Sequence, residues 1–404
     1  MKKKREPWMK FRHRMIRNIL ILVLHPLCRL RYGIRVEKFK NQGKRPYLIL
    51  YNHQTAFDQF FVGLAFRGPV YYLASEDLFS NGWVSSLIRW LVAPIPIKKQ
   101  ATDAKAVMTC MRVAKEGGTI AIAPEGNRTY SGRTEYINPA IASLAKHMKM
   151  PVAFFRIEGG YGVHPRWSDR VRRGKMRAYV SRVLEPEEMA AMSAEEFHQT
   201  VCRELYVDEA VADARFAGKN QAEYLERAIY VCPDCGIAPH ESRGDIITCK
   251  SCGKQIRYLP TKELEGVGEK VPFRFVADWY EYQKDFINKL DTRTMTETPV
   301  ATDAAALSEV IVYKNKKAIA DSVSLSLYGD RLVMDEGKEG EWTIPFDDAS
   351  AFTVLGRNKL NIYYDDKVYQ FKGDPHFNAL KYVNFFYRFK NLEKGDGESD
   401  FLGL

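Results

Sequence analysis

The chain has 404 residues, of which 46% are hydrophobic and 27% charged, as in an ordinary globular protein with two or three domains. Its formal net charge of +11 indicates an anionic partner, either a membrane or a nucleic acid. Four of the seven cysteines stand in Cys-x2-Cys pairs, which argues for a metal site in a reducing compartment rather than for disulfide bonds.

Much of the positive charge lies at the N-terminus. Residues 1–17 contain eight Lys or Arg and one acidic residue, so they carry +7 of the total. The remaining +4 is too little for a nucleic-acid-binding surface, and we expect no nucleic-acid partner. The uncharged run Asn18–Cys28 is too short to span a bilayer, and no small-residue cleavage site of a signal peptide follows it.

Aromatic residues interrupt this basic segment. Trp8 and Phe11 would sink to the acyl boundary of a membrane, while Lys and Arg would meet anionic head groups. We therefore predict that residues 1–34 form a basic amphipathic anchor, which holds the protein peripherally on the cytoplasmic face of a membrane. The alternative is a basic tail followed by an ordinary core helix.

The next segment places a histidine beside an aspartate. Residues 47–51 read as a buried strand, His53 lies in the following loop, and a helix is predicted to begin near Thr55. With Asp58 in the first helical turn, its carboxylate can fix the tautomer of His53 and leave the other ring nitrogen to act as a general base. Because no protein nucleophile accompanies this pair, the nucleophile would be a substrate hydroxyl. The alternative is that Thr55-x-x-Asp58 only caps a helix.

Strands and helices alternate over residues 35–229. Strands are predicted at 70–74, 119–123, 151–157 and 176–183, helices at about 83–91, 102–115 and 138–148, and a largely helical segment at 186–229. This order predicts an α/β fold with a mixed sheet flanked by helices. His53 and Glu125 each follow a predicted strand, at the sheet edge where such folds place their sites.

Two motifs together resemble the glycerolipid acyltransferase family, typified by 1-acylglycerol-3-phosphate acyltransferases. They are Asn52-His53-x4-Asp58 and Pro124-Glu125-Gly126-x-Arg128. The segments 93–99 and 150–152 resemble the second and fourth family blocks, and the likeness covers roughly residues 10–215. It implies acyl transfer from a thioester, either acyl-carrier protein or acyl-coenzyme A, to the free hydroxyl of a lysophospholipid, by default 1-acylglycerol-3-phosphate.

The resemblance also implies roles for single residues. His53 and Asp58 would be catalytic, and backbone N–H groups of Gly126 or of the loop after His53 could stabilise the oxyanion. The substrate-binding residues would be Lys99, Glu125, Gly126 and Arg128. Lys99 stands where the family usually has arginine, which leaves the acceptor open. The alternative function is a non-catalytic lipid-binding or tethering protein that retains the pocket.

The four paired cysteines predict a zinc ribbon over residues 230–260. They are Cys232, Cys235, Cys249 and Cys252, with thirteen residues between the pairs and a glycine after each pair. Four thiolates would complete a tetrahedral zinc site with no open position, so the metal would be structural.

The C-terminal part predicts a further β domain. A connecting helix is expected within 261–291 and a linker at 292–307. Over 308–392, seven strand-like runs begin with 310–313 and precede a closing helix at about 377–389. This pattern resembles a pleckstrin-homology-type β-barrel capped by a helix, although the fold does not identify a ligand. Residues 393–404 form a short acidic tail.

Overall fold

The computed structural model describes residues 6–98, 103–396, 399 and 401–403. These residues divide into two compact units, each with its own hydrophobic core. The first unit contains the described residues up to Thr129 together with Arg133–His164 and Arg173–Glu209. The second contains Tyr130–Gly132, Pro165–Arg172 and the described residues from Ala210 onward.

The first unit is built on one mixed sheet. Its strands are β1 (Ile34–Val36), β2 (Leu48–Tyr51), β3 (Val70–Ser75), β4 (Ile95–Ile97), β5 (Thr119–Ile122), β6 (Val152–Glu158) and β7 (Met176–Leu184). They are ordered β1-β7-β6-β2-β5-β3-β4. Only β6 and β7 pair antiparallel, and the other neighbours are parallel. The predicted mixed sheet is therefore confirmed.

Helices cover this sheet. They are α1 (Phe11–Tyr32), α2 (Asp58–Ala65), α3 (Gly82–Val92), α4 (Ala104–Lys115), α5 (Ala140–Met148), α6 (Gly160–Val163), α7 (Pro186–Ala191) and α8 (Ala194–Leu205). The central strands β2 and β5 are buried along their whole length, as their continuous apolar sequences require. Val113 of α4, Ala145 of α5 and Val201 of α8 contribute to the same core.

One helical prediction in this region was wrong. The α-helical structure predicted over 186–229 ends at Leu205, and the remainder contains only a short 3-10 turn at Leu225–Arg227. Ala222, Leu225 and Ile229 are fully buried in the second unit's core, so tertiary packing overrides the local helical preference. Among the described residues, no helix is both long and apolar enough to cross a membrane.

The second unit combines the cysteine-rich segment with the C-terminal strands. Small antiparallel sheets are formed by β8 (Val231–Cys232) with β9 (Gly236–Ile237), and by β10 (His240–Arg243), β11 (Ile246–Cys249), β12 (Gln255–Tyr258) and β13 (Leu264–Gly266). Helix α9 (Val276–Asn288) follows. A single core includes Ile247 of β11, Trp279 of α9 and residues of the C-terminal sheet.

The C-terminal sheet is a curled antiparallel half-barrel. It consists of β14 (Ala301–Glu309), β15 (Lys317–Leu327), β16 (Arg331–Met334), β17 (Trp342–Pro345), β18 (Ala351–Leu355), β19 (Lys359–Tyr364) and β20 (Lys367–Gly373). Their order is β17-β16-β15-β14-β20-β19-β18. The closing helix is α10 (Leu380–Glu393), where the ring of Phe386 stacks on Phe352 of β18 with centroids 4.4 Å apart.

The first strand of this sheet lies elsewhere than predicted. Residues 301–309, which fall mostly in the predicted linker, form β14, whereas 310–313 are not a strand. Strand β14 pairs with both β15 and β20, so backbone hydrogen bonds stabilise a sequence whose only large apolar residue is Leu307. Tyr313 has a φ of +68°, in the left-handed region, and the chain turns there instead of extending. The other six predicted runs coincide with strands.

Candidate active site

Parallel pairing brings the two sequence motifs to one level of the sheet. Leu50 of β2 pairs with Ile122 of β5, and three residues further along the two strands come His53 and Glu125. Two hydrogen bonds then join the loops. The His53 N–H donates to Glu125 Oε1 at 2.7 Å, and the Thr129 N–H donates to the His53 carbonyl at 3.1 Å. The two motifs therefore form one loop cluster at the carboxyl ends of the strands.

His53 and Asp58 are in direct contact. His53 Nδ1 lies 2.8 Å from Asp58 Oδ2, with His53 in the loop after β2 and Asp58 in the first turn of α2. The Asp58 side chain is fully buried, whereas 23% of the His53 side chain is exposed. A proton on Nδ1 directed at the carboxylate leaves Nε2 with its lone pair, which is the tautomer that a general base needs. The predicted pairing of these two side chains is present in the structure.

Asp58 accepts further hydrogen bonds that hold it in place. Its carboxylate receives the N–H groups of Gln54, at 2.7 Å, and Thr55, at 2.9 Å, as well as the Thr55 hydroxyl at 2.6 Å. The Thr55 hydroxyl also accepts the Phe57 N–H at 3.1 Å. The local turn predicted from Thr55-x-x-Asp58 thus exists beside the imidazole contact, and the same carboxylate makes both.

Two neighbouring amides, which sequence reasoning did not identify, fix the backbone on either side of His53. Asn52 makes a pair of 2.8 Å hydrogen bonds with the N–H and carbonyl of Ile157 in β6. Gln54 Oε1 accepts the Tyr161 N–H at 2.8 Å. Both side chains are buried. Their position next to His53 was the only signal in the sequence, because their partners lie more than a hundred residues away.

Glu125 is buried and bonded to backbone on both of its oxygens. Besides the His53 N–H on Oε1, its Oε2 accepts the Glu135 N–H at 3.0 Å, and only 6% of the residue is exposed. Burial raises the pKa of Glu125 to about 8, although the two N–H groups act in the opposite direction. This geometry shows that Glu125 holds the His53 loop in place, and the acceptor-binding role implied by the family resemblance stays a prediction.

Replacing Glu125 by glutamine should flatten the pH dependence of stability. Between pH 4.5 and about pH 8 the folded protein retains a proton on Glu125 that the unfolded chain releases, so the free energy of unfolding falls as the pH rises. The slope from this group is at most about 1.4 kcal/mol per pH unit. Urea unfolding at several pH values measures it. Glu187→Gln, at an exposed site on α7, is the control, and equal slopes for all three proteins would contradict the prediction.

The other predicted binding residues are placed as follows. The Gly126 N–H donates to the Ala123 carbonyl at 3.1 Å, and the φ of Gly126 is +70°, so this glycine forms the turn of the loop. Arg128 is half-buried and immediately precedes Thr129, which is bonded to His53. Lys99 lies outside the described residues. The N–H groups of Gly126, Gln54 and Thr55, three of the expected oxyanion donors, donate hydrogen bonds within the loops.

The four cysteines of the second unit form one cluster. All four Sγ atoms lie within 4.8 Å of one another, and the sulfurs of Cys232 and Cys252 are 3.7 Å apart. A tetrahedral site with metal–sulfur bonds of about 2.3 Å has sulfur–sulfur edges of roughly 3.8 Å. The cluster can therefore bind a metal ion of this coordination.

Residues 33–157, which contain both the His53-x4-Asp58 and the Glu125-Gly126-x-Arg128 motifs, match the family model described as Acyltransferase. The chain is 23% identical over 176 residues to the 1-acyl-sn-glycerol-3-phosphate acyltransferase of Bacillus subtilis (strain 168), a match that covers 43% of this chain and 84% of that protein. The crystal structure of the 1-acyl-sn-glycerophosphate (LPA) acyltransferase from Thermotoga maritima aligns with a TM-score of 0.39 and 22% identity, over 47% of this chain and 78% of that one.

Proposed function

We propose that the chain is a glycerolipid acyltransferase, which transfers a fatty acyl group from a thioester donor to the free hydroxyl of a lysophospholipid. The match of residues 33–157 to the Acyltransferase family model and the likeness to the Bacillus subtilis protein support this proposal. The acceptor that the Bacillus subtilis relative's name suggests is 1-acylglycerol-3-phosphate, and the product would be phosphatidic acid. The observation that carries this proposal is the 2.8 Å contact between His53 Nδ1 and the buried Asp58 carboxylate. A protein that only binds or tethers lipid has no need of an oriented base.

The reaction uses His53 twice. Its Nε2 removes the proton of the acceptor hydroxyl as the oxygen attacks the thioester carbon, and a tetrahedral intermediate forms. The intermediate collapses when the carbon–sulfur bond breaks, and the imidazolium returns the proton to the leaving thiolate. Asp58 holds the ring and stabilises the imidazolium, as the acid does in a serine-protease triad. No acyl-enzyme is required.

Arg128 is proposed to bind the phosphate of the acceptor. Its side chain is half-buried, and the residue that follows it, Thr129, is hydrogen-bonded to His53. A guanidinium offers permanent charge and a planar fork that matches phosphate oxygens. Lys99, whose position the structure does not describe, is proposed from the family resemblance alone to add positive charge for the acceptor phosphate.

Acyl transfer by the purified full-length chain tests this function and its acceptor. The assay offers lysophosphatidic acid, other lysophospholipids and monoacylglycerol, each with acyl-carrier-protein and coenzyme A thioesters. We expect Arg128→Ala to raise the KM for lysophosphatidic acid by about tenfold or more, and Arg128→Lys to raise it less. Monoacylglycerol, which lacks the phosphate, is the matched control. Equal losses with both acceptors would assign Arg128 a structural role, and absence of product from every acceptor would refute the function.

We further propose that α1 and α3 attach the protein to the cytoplasmic face of a membrane. The 22 residues of α1 include five arginines and no acidic residue. Large apolar side chains are exposed along it, at Phe11, Met15, Ile19, Leu22, Val23, Leu27 and Leu30. Helix α3 exposes Trp83, Leu87 and Trp90, and Arg12 of α1 donates to the Trp90 carbonyl at 3.0 Å. Apolar residues flanked by arginine suit the interface of an anionic bilayer.

The double substitution Leu22→Ser/Leu30→Ser should weaken binding to vesicles of anionic phosphatidylglycerol by about tenfold or more. Each substitution removes the free energy gained by burying a leucine side chain in the bilayer, roughly 1.5–3 kcal/mol. Co-sedimentation with the vesicles measures it. Met108→Ser on α4, which is 66% exposed, is the control and should bind as the wild type does. High salt should weaken binding of all three proteins. Unchanged binding by the double variant would contradict the assignment of α1.

We propose zinc as the metal of the four-cysteine cluster. Thiolate ligands in a tetrahedron favour zinc over magnesium or calcium, which prefer oxygen. Cys232 and Cys249 are buried and Cys235 and Cys252 exposed. Since all four ligands come from the protein, the metal would stabilise the second unit and take no part in acyl transfer.

A further inference from the structure

A cluster of exposed basic side chains lies where α1 ends and where β1 and β7 begin. The cluster, which we call the basic edge, consists of Arg31, Arg35, Arg173 and Lys175. The segments 31–37 and 173–177 together contain five basic residues and one acidic residue, Glu37. Glu37 is paired with the fifth basic residue, Arg177, at 2.9 Å. Among the described residues no acidic side chain forms an ion pair with the basic edge, so its positive charge is not neutralised.

Backbone contacts bring the two segments of the basic edge together. Gly33, between α1 and β1, has a φ of +62°, and a Cβ atom on it would lie 2.4 Å from the Gly174 carbonyl oxygen. A side chain at Gly33 would therefore push the two segments apart. Immediately beyond this contact β1 and β7 pair in parallel, with Arg35 opposite Arg177. The basic edge is thus one surface held by the fold and not a set of separate charges.

The basic edge lies on the side of the sheet that carries His53. Asn52, next to His53, is hydrogen-bonded to Ile157 of β6. Ile157 pairs with Ala178 of β7, which pairs in turn with Val36 of β1, so these residues form one row across the sheet. Because β7 is antiparallel to β6 and parallel to β1, the residues that precede Ala178 and Val36 lie beyond this row, toward the His53 loop cluster. With neighbouring strands about 4.8 Å apart, β7 lies about 10 Å and β1 about 15 Å from β2.

The chemistry of the basic edge suits the acidic surface of a protein. No large apolar side chain is exposed in the segments 31–37 and 173–177, whereas α1 and α3 expose the apolar side chains from which we propose membrane attachment. Sites for small ligands are concave and mostly apolar, which this exposed row of cations is not. Exposed cations along an edge instead complement acidic side chains on a facing surface and steer such a partner to its site.

We propose that the basic edge binds the acidic carrier protein that delivers the acyl thioester, an inference that rests on the proposed acyl transfer. Its four cations would pair with carboxylates of the carrier protein. The pantetheine arm that ends in the thioester is about as long as four extended residues, roughly 14 Å. The arm can therefore reach from the basic edge to the His53 loop, over about two or three strand spacings. Coenzyme A thioesters lack the acidic protein surface and would not depend on these contacts.

Binding of the full-length chain to immobilised palmitoyl acyl-carrier protein, measured by biolayer interferometry, tests the proposal. The double substitution Arg35→Glu/Lys175→Glu should raise the Kd by about tenfold or more, because two attractive contacts become repulsive. High salt should weaken binding of the wild type more than that of the variant. Lys44→Glu is the matched control and should bind as the wild type does. Lys44 is exposed and precedes β2, so it lies at the opposite end of that strand from His53.

Kinetics with two donors separate this inference from the proposed function. In the double variant the KM for palmitoyl acyl-carrier protein should rise by about tenfold or more, with little change in kcat or in the KM for palmitoyl-coenzyme A. Equal losses with both donors would overturn the proposal. A wild-type protein that uses the coenzyme A thioester but does not bind the carrier protein would also overturn it, and the proposed function would stand.

The membrane is the other anionic surface that the basic edge could contact, and vesicle binding distinguishes the two. The double variant should bind phosphatidylglycerol vesicles as the wild type does. Weakened binding to the vesicles with unchanged binding to the carrier protein would overturn the proposal. Arg35→Gln/Lys175→Gln, which removes the two charges without reversing them, guards against misfolding. Its Kd for the carrier protein should lie between those of the wild type and the double variant, at unchanged thermal stability.

Discussion

Replacing His53 by alanine should lower kcat for acyl transfer by on the order of 10²–10⁴-fold, because the acceptor hydroxyl loses its general base. KM should change little, since the imidazole is proposed to act on the reacting proton and not to bind the acceptor. Steady-state kinetics with lysophosphatidic acid and the preferred thioester measure both constants. Because only 23% of the His53 side chain is exposed and its backbone makes the loop contacts, the variant should retain its fold.

Asp58→Asn is the companion variant, and it should differ from His53→Ala in one respect. Asp58 accepts the N–H groups of Gln54 and Thr55 and the Thr55 hydroxyl, and an asparagine amide nitrogen cannot accept any of these. Activity should fall in both variants. Thermal stability should fall in Asp58→Asn but not in His53→Ala. If Asp58 only capped the helix, His53→Ala would keep the full rate, which would contradict the proposed role of the pair.

Removing the metal from the four-cysteine cluster should unfold the part of the second unit around it. Structural zinc contributes on the order of 10 kcal/mol to folding in small zinc domains, and the cluster shares a core with α9 and the C-terminal sheet. Elemental analysis should find one zinc ion per chain in the wild type and none in Cys249→Ser. The variant should also be much less stable than the wild type when unfolding is followed by tryptophan fluorescence. A strong chelator should reproduce this loss in the wild type.

Cys202→Ser is the control for this experiment. Cys202 is a half-buried cysteine of α8, outside the cluster and in the first unit. Its replacement should leave the zinc content unchanged and should cost little stability, because a single thiol is exchanged for a hydroxyl. Wild-type protein without bound metal, or a Cys249→Ser variant as stable as the wild type, would contradict a structural zinc site.

The parts of the fold that the sequence predicted are those in which local pattern and burial agree. Strands such as β2 and β5 have continuous apolar sequences because both faces of a central strand are covered. The contact between His53 and Asp58 was predictable because it is local, five residues apart across a strand end and a helix start. Strand β14 was missed, since its many alanines and polar residues are stabilised by backbone pairing on both edges.

The supporting residues of the site could not be read from local sequence. Asn52 bonds to Ile157, and Glu125 bonds to the backbone of His53, so both depend on which strands become neighbours in the sheet. The family resemblance implied that Glu125 binds the acceptor, and that role stays a prediction. What the sequence did not indicate is that Glu125 is buried, with two backbone N–H groups on its oxygens. A carboxylate that bonds to backbone donors leaves no periodic pattern in the sequence.

The most direct test of the account is intact-mass spectrometry of the wild-type protein during a single turnover. The protein is first mixed with the acyl thioester alone, and lysophosphatidic acid is added afterwards. Because His53 activates the acceptor hydroxyl directly, the protein mass should stay unchanged throughout, and acylated product should form only after the acceptor is added. An acylated protein that precedes the product, or product formation at the wild-type rate by His53→Ala, would contradict the mechanism.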